Sequence, residues 1–407
     1  MAIAFLRRSI IPSKEDAAVE LSREVGTGIA RALTVTASYT PLQVAGAYHF
    51  PTSYSGAGYS LGIVELGGAV NDADLEQYFG RLGLPVPVVE AISVNGAPIE
   101  STGPGGADTE VMIDIEISAT LAPEAKVNVY FGENSEDGFY RAIAAAGGVN
   151  PETFEDEGHR NTVVSISWGQ PENLWNPDTM DQFNTLLHVL RAKGVTVFTS
   201  SGDRGAQDNG GDGLLHTDFP SSSPHVISCG GTELLLDAYG DRASEVAWDI
   251  DDTKSASGGG ISAHFSGRQV PDISGNASSA TGYQILTGGE DHVLGGTSAV
   301  APLMAGLALE LSEALGRPLG QVTDLSNFFL TNLGVLYDVT SGDNGGFRAG
   351  PGRDNVTGLG VPDGARMLEV LLSGRQLPAP IPLPAVGAAG AGGGIPLPVR
   401  GGMNQHS

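Results

Sequence analysis

The sequence predicts an α/β protein with a parallel central sheet and helices on both faces. Three observations point there. Short apolar runs alternate with amphipathic stretches through most of the chain. Those runs are nearly continuous in Val, Ile and Leu, as in strands buried on both faces. At 407 residues the chain can bury a large core, and no internal repeat divides it.

Taken in order, the segment "LGIVE" (61–65) reads as a buried strand, followed by a helix around Asp72–Leu82. "VNVYF" (127–131) is the next strand and precedes a helix around Gly138–Ala146. "TVVSIS" (162–167) leads into the clearest helix, capped by Asn176 with Pro177 in its first turn. Its apolar face is Phe183, Leu186, Leu187 and Leu190, and Gly194 closes it. "VTVFTS" (195–200) and "HVISC" supply further strands. A site in such a sheet lies at the carboxyl ends of its strands, where the loops after Ser167 and Ser201 converge.

The two ends differ from this middle. Residues 1–38 hold a modest helical pattern over Ala17–Ala32 and no motif. From Gln376 onward a Pro/Gly/Ala-rich tail cannot pack a core and is expected to be disordered.

The net charge of −26 argues against nucleic acid, because phosphate binding needs clustered Lys and Arg. It suits either simple solubility or acid conditions, where protonation brings the chain towards neutrality. Cys229, the single cysteine, leaves no intrachain disulfide or thiolate cluster and reads as a core residue. No apolar run near ~18–20 residues is evident, so no membrane helix is expected. Residues 1–16 do not read as a signal peptide.

"GGTSAVAPLMAG" (295–306) poses the chemical question. Two glycines allow close backbone approach, and an apolar helix follows Ser298, whose free N–H groups and dipole favour an oxyanion. The simpler alternative is that Thr297 or Ser298 caps a buried helix. A nucleophilic serine normally takes histidine as its base. None of His49, His159, His188, His216, His225, His264, His292 and His406 lies in a His-Gly-Thr helix start. Carboxylates offer another base: "DTEVMIDIEISATLAPEAKV" carries Glu110, Asp114 and Glu116 among apolar residues. Val111, Ile113, Ile115 and Ile117 alternate with polar positions, so periodicity favours a strand, which would hold Glu110 and Asp114 ~13 Å apart. On a helix the same pair would lie ~5–6 Å apart on one face.

Several separated segments resemble the sedolisins, the serine-carboxyl peptidases, over about residues 38–375. "YTPLQVAGAYHFP" resembles the start of their catalytic domain, "TEVMIDIE" their acidic helix, "TSSGDRG" their oxyanion loop and "GGTSAVAPL" their nucleophile motif. The resemblance implies a subtilisin-like fold and an acid-active endopeptidase acting on peptides or proteins. It assigns Ser298 as nucleophile, Glu110 as general base, Asp114 as its partner and Asp203 as oxyanion donor. "VELGG" and "SISWGQPE" imply supporting roles for Glu65 and Trp168, with substrate along Ser167, Trp168 and Gly169. "LYDVTSG" and "AGPGRDNVTGLG" imply one structural Ca²⁺ on the Asp338 and Asp354 side chains and the carbonyls of Val339, Gly350 and Gly352. Without the resemblance these two segments read as turn-rich loop.

Subtilisins proper fit less well, because their Asp-Thr-Gly and His-Gly-Thr segments are missing. The expected organisation is a short extension (1–38) without a full prosegment, a peptidase domain (39–375) and the tail (376–407). The alternative reading is a catalytically silent, calcium-stabilised binding protein of the same fold. A monomer without membrane or nucleic-acid partners is expected. The resemblance implies an extracellular protein, while the missing signal pattern leaves a cytoplasmic one open.

Overall fold

The computed structural model describes residues 38–103, 105–249 and 255–374, with the backbone of two short strands, Arg7–Arg8 and Ile11–Pro12. The expected helix over 17–32 and the tail from 376 lie outside the described residues.

Seven strands form the main sheet in the spatial order 242–247, 227–236, 196–200, 163–166, 60–65, 126–131, 89–93. All adjacent pairs are parallel except the edge pair 227–236 and 242–247. Ile273–Asn276 adds a further parallel pairing to 227–236. The expected parallel α/β sheet is therefore present. Its strands are buried because helices cover both faces: Leu61, Ile63, Val127 and Val129 join one apolar core, and Val64, Val164, Ile166 and Val197 join the other.

Local signals act as expected in several elements. Asn71 caps the Asp72–Leu82 helix by accepting from Ala73 and Asp74 N–H, and Gly83 ends it in the left-handed region at φ 69°. Asn176 caps Pro177–Ala192, and Phe183, Leu186, Leu187 and Leu190 are all buried on its inner face. Cys229 is fully buried.

The acidic segment corrects the periodicity reading. Ala107–Leu121 is a helix, and every residue from Asp108 to Leu121 is buried. Alternation fails as a guide because the polar positions are not a solvated face. Surrounded by protein on all sides, this helix has no amphipathic period to display.

The serine motif forms a short 3-10 turn, Thr297–Ala299, followed by the helix Val300–Leu315. The N-cap is Ala299 and makes no side-chain cap bond, so neither Thr297 nor Ser298 is the helix cap. The glycines before it are needed. A Cβ on Gly295 would lie 2.3 Å from Ala277 O, and Gly296 has φ 117°. Contrary to the hydropathy expectation, Thr297–Leu315 is long and apolar enough to cross a membrane by length and composition. It is 83% buried within the protein, which accounts for its apolar character.

These two helices pack against each other, and the acidic one also packs on the Thr297–Ala299 turn. Gly306 makes the close approach possible, because a Cβ there would fall 2.8 Å from the Leu121 Cβ. Gly306→Val should therefore destabilise the protein by ~1–3 kcal/mol through overpacking. Chemical denaturation measures this, and an unchanged midpoint would show that the helices can part without cost.

Candidate active site

The carboxyl ends of three adjacent strands deliver the site. Ser60–Glu65 ends on Glu65, Val163–Ile166 passes into Ser167, and Thr196–Ser200 runs into the loop bearing Asp203. The Thr297–Ala299 turn and the acidic helix pack against these ends. Glu110, Asp114, Ser167, Asp203 and Ser298 are all buried.

Ser167 links the two halves. Its hydroxyl donates to Asp114 Oδ1 at 2.8 Å, with Oδ2 at 3.1 Å, and lies 3.5 Å from the Ser298 carbonyl. The Ser298 hydroxyl in turn faces the Ser167 carbonyl at 3.5 Å. Among the described residues no histidine bonds to Ser298. A catalytic hydroxyl often aligns with its base only once substrate is bound, so this orientation is compatible with attack. Burial pushes the Asp114 carboxyl well above the usual range, and the Ser167 hydrogen bond only partly offsets it.

Asp203 is held from one side. Its Oδ1 accepts from the Thr297 amide and the Thr297 hydroxyl, each at 2.8 Å. Among the described residues its Oδ2 is buried without a hydrogen-bond partner. Burial pushes this carboxyl up to about 7, against the two Thr297 bonds and the Arg204 charge, which lower it. At pH 4 it is a neutral acid with one oxygen free to donate.

Two further acids outside the motifs, Asp218 and Asp208, belong to the same electrostatic cluster. Asp218 is pushed well up by burial and then by Asp208, Asp203 and Glu172. Its Oδ1 sits where a Cβ on Gly169 would be, 2.1 Å away, so only glycine fits there. Thr297 was also missed as a functional residue. Its signal was a polar side chain entering a buried turn.

Trp168 donates through Nε1 to Glu65 Oε2 at 2.8 Å, which brings together the two residues expected to support the site. Trp168 and Gly169 lie in a short buried strand, Trp168–Pro171, which also pairs antiparallel with Asp218–Phe219. The Arg7–Arg8 backbone pairs antiparallel with Trp168 and Gly169, and Ile11–Pro12 pairs with Leu294–Gly295, just before the serine turn. Of the three expected substrate residues, Ser167 instead commits its hydroxyl to Asp114.

The second group of expected residues gathers in a separate loop. Asp338 Oδ2 accepts from Gly352 N at 2.8 Å, and Asp354 Oδ2 from Gly350 N at 3.0 Å. Thr357 Oγ1 reaches both Asp354 and the Val339 carbonyl. Burial, opposed by the Gly352 bond and reinforced by the Asp354 charge, raises the Asp338 carboxyl. Among the described residues neither carboxylate has an ion-pair partner. Two uncompensated carboxylates and nearby carbonyls are hard oxygen donors and fit Ca²⁺. No group of three or more His, Cys, Asp or Glu among the described residues could hold a metal, so carbonyls would have to complete the set.

The profile of the subtilase family, peptidase S8, matches residues 101–360. The chain belongs to the subtilase family. This subtilase is 41% identical to kumamolisin of Bacillus sp. strain MN-32 over 362 residues, which is 82% of this chain and 64% of that protein. Sedolisin of Pseudomonas sp. strain 101 is 30% identical over 357 residues, covering 78% of this chain and 60% of that one. The chain thus spans under two-thirds of the length of these relatives. A solved structure of Pseudomonas sedolisin, a serine-carboxyl proteinase complexed with two molecules of pseudo-iodotyrostatin, matches with a TM-score of 0.74 at 25% identity. It covers 84% of this chain and 99% of that one. The sedolisin resemblance and the subtilisin-like fold both hold.

The neutral Asp203 has a consequence for stability. A carboxyl whose folded-state value is raised favours folding fully below the unfolded range near ~4, and that contribution is lost as pH rises. For Asp203 the loss runs up to about 7. Asp203→Asn removes the ionisation, so the variant should gain stability relative to the parent between pH 4 and 7. Denaturation midpoints at both values check this, and a constant gap would place the Asp203 carboxyl in a less buried state.

Proposed function

We propose that this subtilase is an acid-active serine-carboxyl endopeptidase. The observation that carries the reading is the Ser167 hydroxyl, which joins the Asp114 carboxyl to the backbone of Ser298 where, among the described residues, no histidine bonds to the serine. Similarity to kumamolisin and sedolisin supports it.

In this mechanism Ser298 Oγ attacks the peptide carbonyl and its proton passes to Glu110, with Asp114 as the neighbouring carboxyl. Glu110 returns that proton to the departing amine as the C–N bond breaks, leaving an acyl-enzyme on Ser298. Water, losing a proton to Glu110, then attacks the ester, and the proton returns to Ser298 Oγ as the acid product leaves. Asp203, kept protonated by burial, donates to the oxyanion. A histidine base would be protonated and useless at pH 4, whereas a carboxylate still accepts a proton there. Activity should therefore decline on the alkaline side as Asp203 ionises, since its negative charge would repel the oxyanion. The substrate lies extended along Ser167, Trp168 and Gly169, its backbone pairing in the position that the Arg7–Arg8 strand occupies. Glu65 holds the Trp168 ring in place.

The relay is tested by kinetics on the intact chain. Glu110→Gln and Asp114→Asn should each lower kcat by ~10²–10⁴, the usual worth of a general base. Their combined loss should be far less than the product, because the carboxyls act as one unit. Fully multiplicative losses would mean that they work independently.

We also propose one structural Ca²⁺ held by Asp338, Asp354 and the Val339, Gly350 and Gly352 carbonyls. The ion would neutralise two converging carboxylates and tie the loop together, without entering the chemistry. A ligand that binds only the folded state at 100 times its Kd adds about 2.7 kcal/mol of stability. Excess chelator, or Asp338→Ala with Asp354→Ala, should lower Tm while residual folded enzyme keeps its kcat. An unchanged Tm with chelator would rule the ion out.

A further inference from the structure

Asp203 can serve the oxyanion only if its proton sits on the correct oxygen. A neutral carboxyl has one carbonyl-type oxygen, which accepts, and one hydroxyl oxygen, which donates. Burial makes the acid neutral without deciding which oxygen is which.

We propose that Thr297 is a positioning residue that fixes the proton address of Asp203, by occupying Oδ1 with two donors and leaving Oδ2 to carry the proton towards the oxyanion. The inference rests on the oxyanion reading of Asp203 and deepens it. The amide and hydroxyl of Thr297 both lie 2.8 Å from Oδ1, and two donors converging on one oxygen select it as the acceptor. Oδ2, buried and unpartnered, is the oxygen left for the proton.

The threonine hydroxyl is itself oriented. It accepts from Gly202 N at 3.2 Å and has two possible acceptors, Gly202 O at 3.2 Å and Asp203 Oδ1 at 2.8 Å. One O–H proton cannot serve both, and the shorter contact is to Asp203. Gly202 precedes Asp203 in the chain, so the oxyanion loop orients the very hydroxyl that orients its acid. The charged groups facing Asp203 are Arg204 on its own loop and Asp218 on the Asp218–Phe219 strand, backed by Asp208 and Glu172. They bias whether Asp203 is protonated, but they do not touch either oxygen in a way that chooses between them. Thr297 alone makes that choice among the described residues.

The role has a signature that structural damage would not produce. Hydrogen bonds donated to a carboxyl stabilise its ionised form, so the Thr297 hydroxyl lowers the Asp203 value even as it aims the proton. Removing the hydroxyl should therefore weaken catalysis and move the alkaline limb to higher pH together. The experiment measures kcat against pH for the full chain with a peptide substrate.

Thr297→Val should lose roughly 10-fold in plateau kcat, short of the ~10²–10³ for removing an oxyanion donor, with its alkaline limb shifted upward. Thr297→Ser keeps the hydroxyl and should match the parent in both respects. In an Asp203→Asn background, Thr297→Val should still lower the plateau, because the amide must also be aimed, but should shift no limb. If the valine variant does not fold, the Thr297→Ala and Thr297→Ser pair carries the same comparison.

A valine or alanine variant with the parent plateau and limb overturns the proposal. So does a loss of kcat without a limb shift, or a serine variant as impaired as valine. If parent and Asp203→Asn share one alkaline limb, the oxyanion reading itself falls. That outcome is distinguishable from failure of Thr297 alone, in which the two limbs differ and the Thr297 variants do not move them.

Discussion

The contact between the Ala107–Leu121 and Val300–Leu315 helices is the constraint on which the site depends. One helix brings Glu110 and Asp114, and the other begins at the serine turn. Both are buried along nearly their whole length, so neither can be placed by an amphipathic face seeking water. Gly306 lets them approach closely, since a Cβ there would fall 2.8 Å from the Leu121 Cβ. Ser167, at the end of a central strand, then bridges the carboxyl of one helix to the backbone before the other. The sheet fixes the third point of the triangle, and little freedom remains.

That burial also fixes the electrostatics. An isolated ionised carboxylate in a protein interior is costly, so the group takes up a proton instead. Asp114, Glu116, Asp203 and Asp218 are all raised first by burial, and Glu310, on the nucleophile helix, is pushed up to about 9 by burial and then by Glu313. Asp272 shows the opposite outcome in the same protein. Burial opposes its ionisation too, but Arg268 at 2.5 and 2.7 Å, with Arg353 nearby, outweighs it and holds the carboxyl low. The difference is the presence of a cation. Among the described residues, the one cation that lowers the Asp203 carboxyl is Arg204. Each raised group binds its proton more tightly in the folded state, whereas lowered ones such as Asp272 act in the opposite sense.

The sequence made the sheet legible because its strands are nearly continuous apolar runs and its exposed helices carry ordinary caps, as at Asn176. It misled at 107–121, where Val111, Ile113, Ile115 and Ile117 alternate with acids. Alternation signals a strand only when the polar face meets water, and here Glu110, Asp114 and Glu116 are as buried as the isoleucines. Motif resemblance carried the helix where periodicity could not. It also picked out Ser167, Asp114 and Ser298, which the Ser167 hydroxyl links, and Asp338 with Asp354. It did not reach Thr297, Asp208 or Asp218, because their importance lies in contacts between segments far apart in the chain. The clamp on Asp203 joins residues 94 apart, and no local pattern encodes it.

The central claim is that Ser298 is a nucleophile served by carboxyls in acid. Covalent trapping tests it most directly. The full chain would be incubated at pH 4 and at pH 8 with a peptide aldehyde labelled with ¹³C at its carbonyl, and the reversible hemiacetal detected in place by NMR, in the parent and in Ser298→Ala. The account predicts an adduct on Ser298 that forms at pH 4, fades at pH 8 and vanishes in Ser298→Ala together with peptide hydrolysis. An adduct on another residue, or a Ser298→Ala variant that still cleaves peptides at the parent rate, would contradict it.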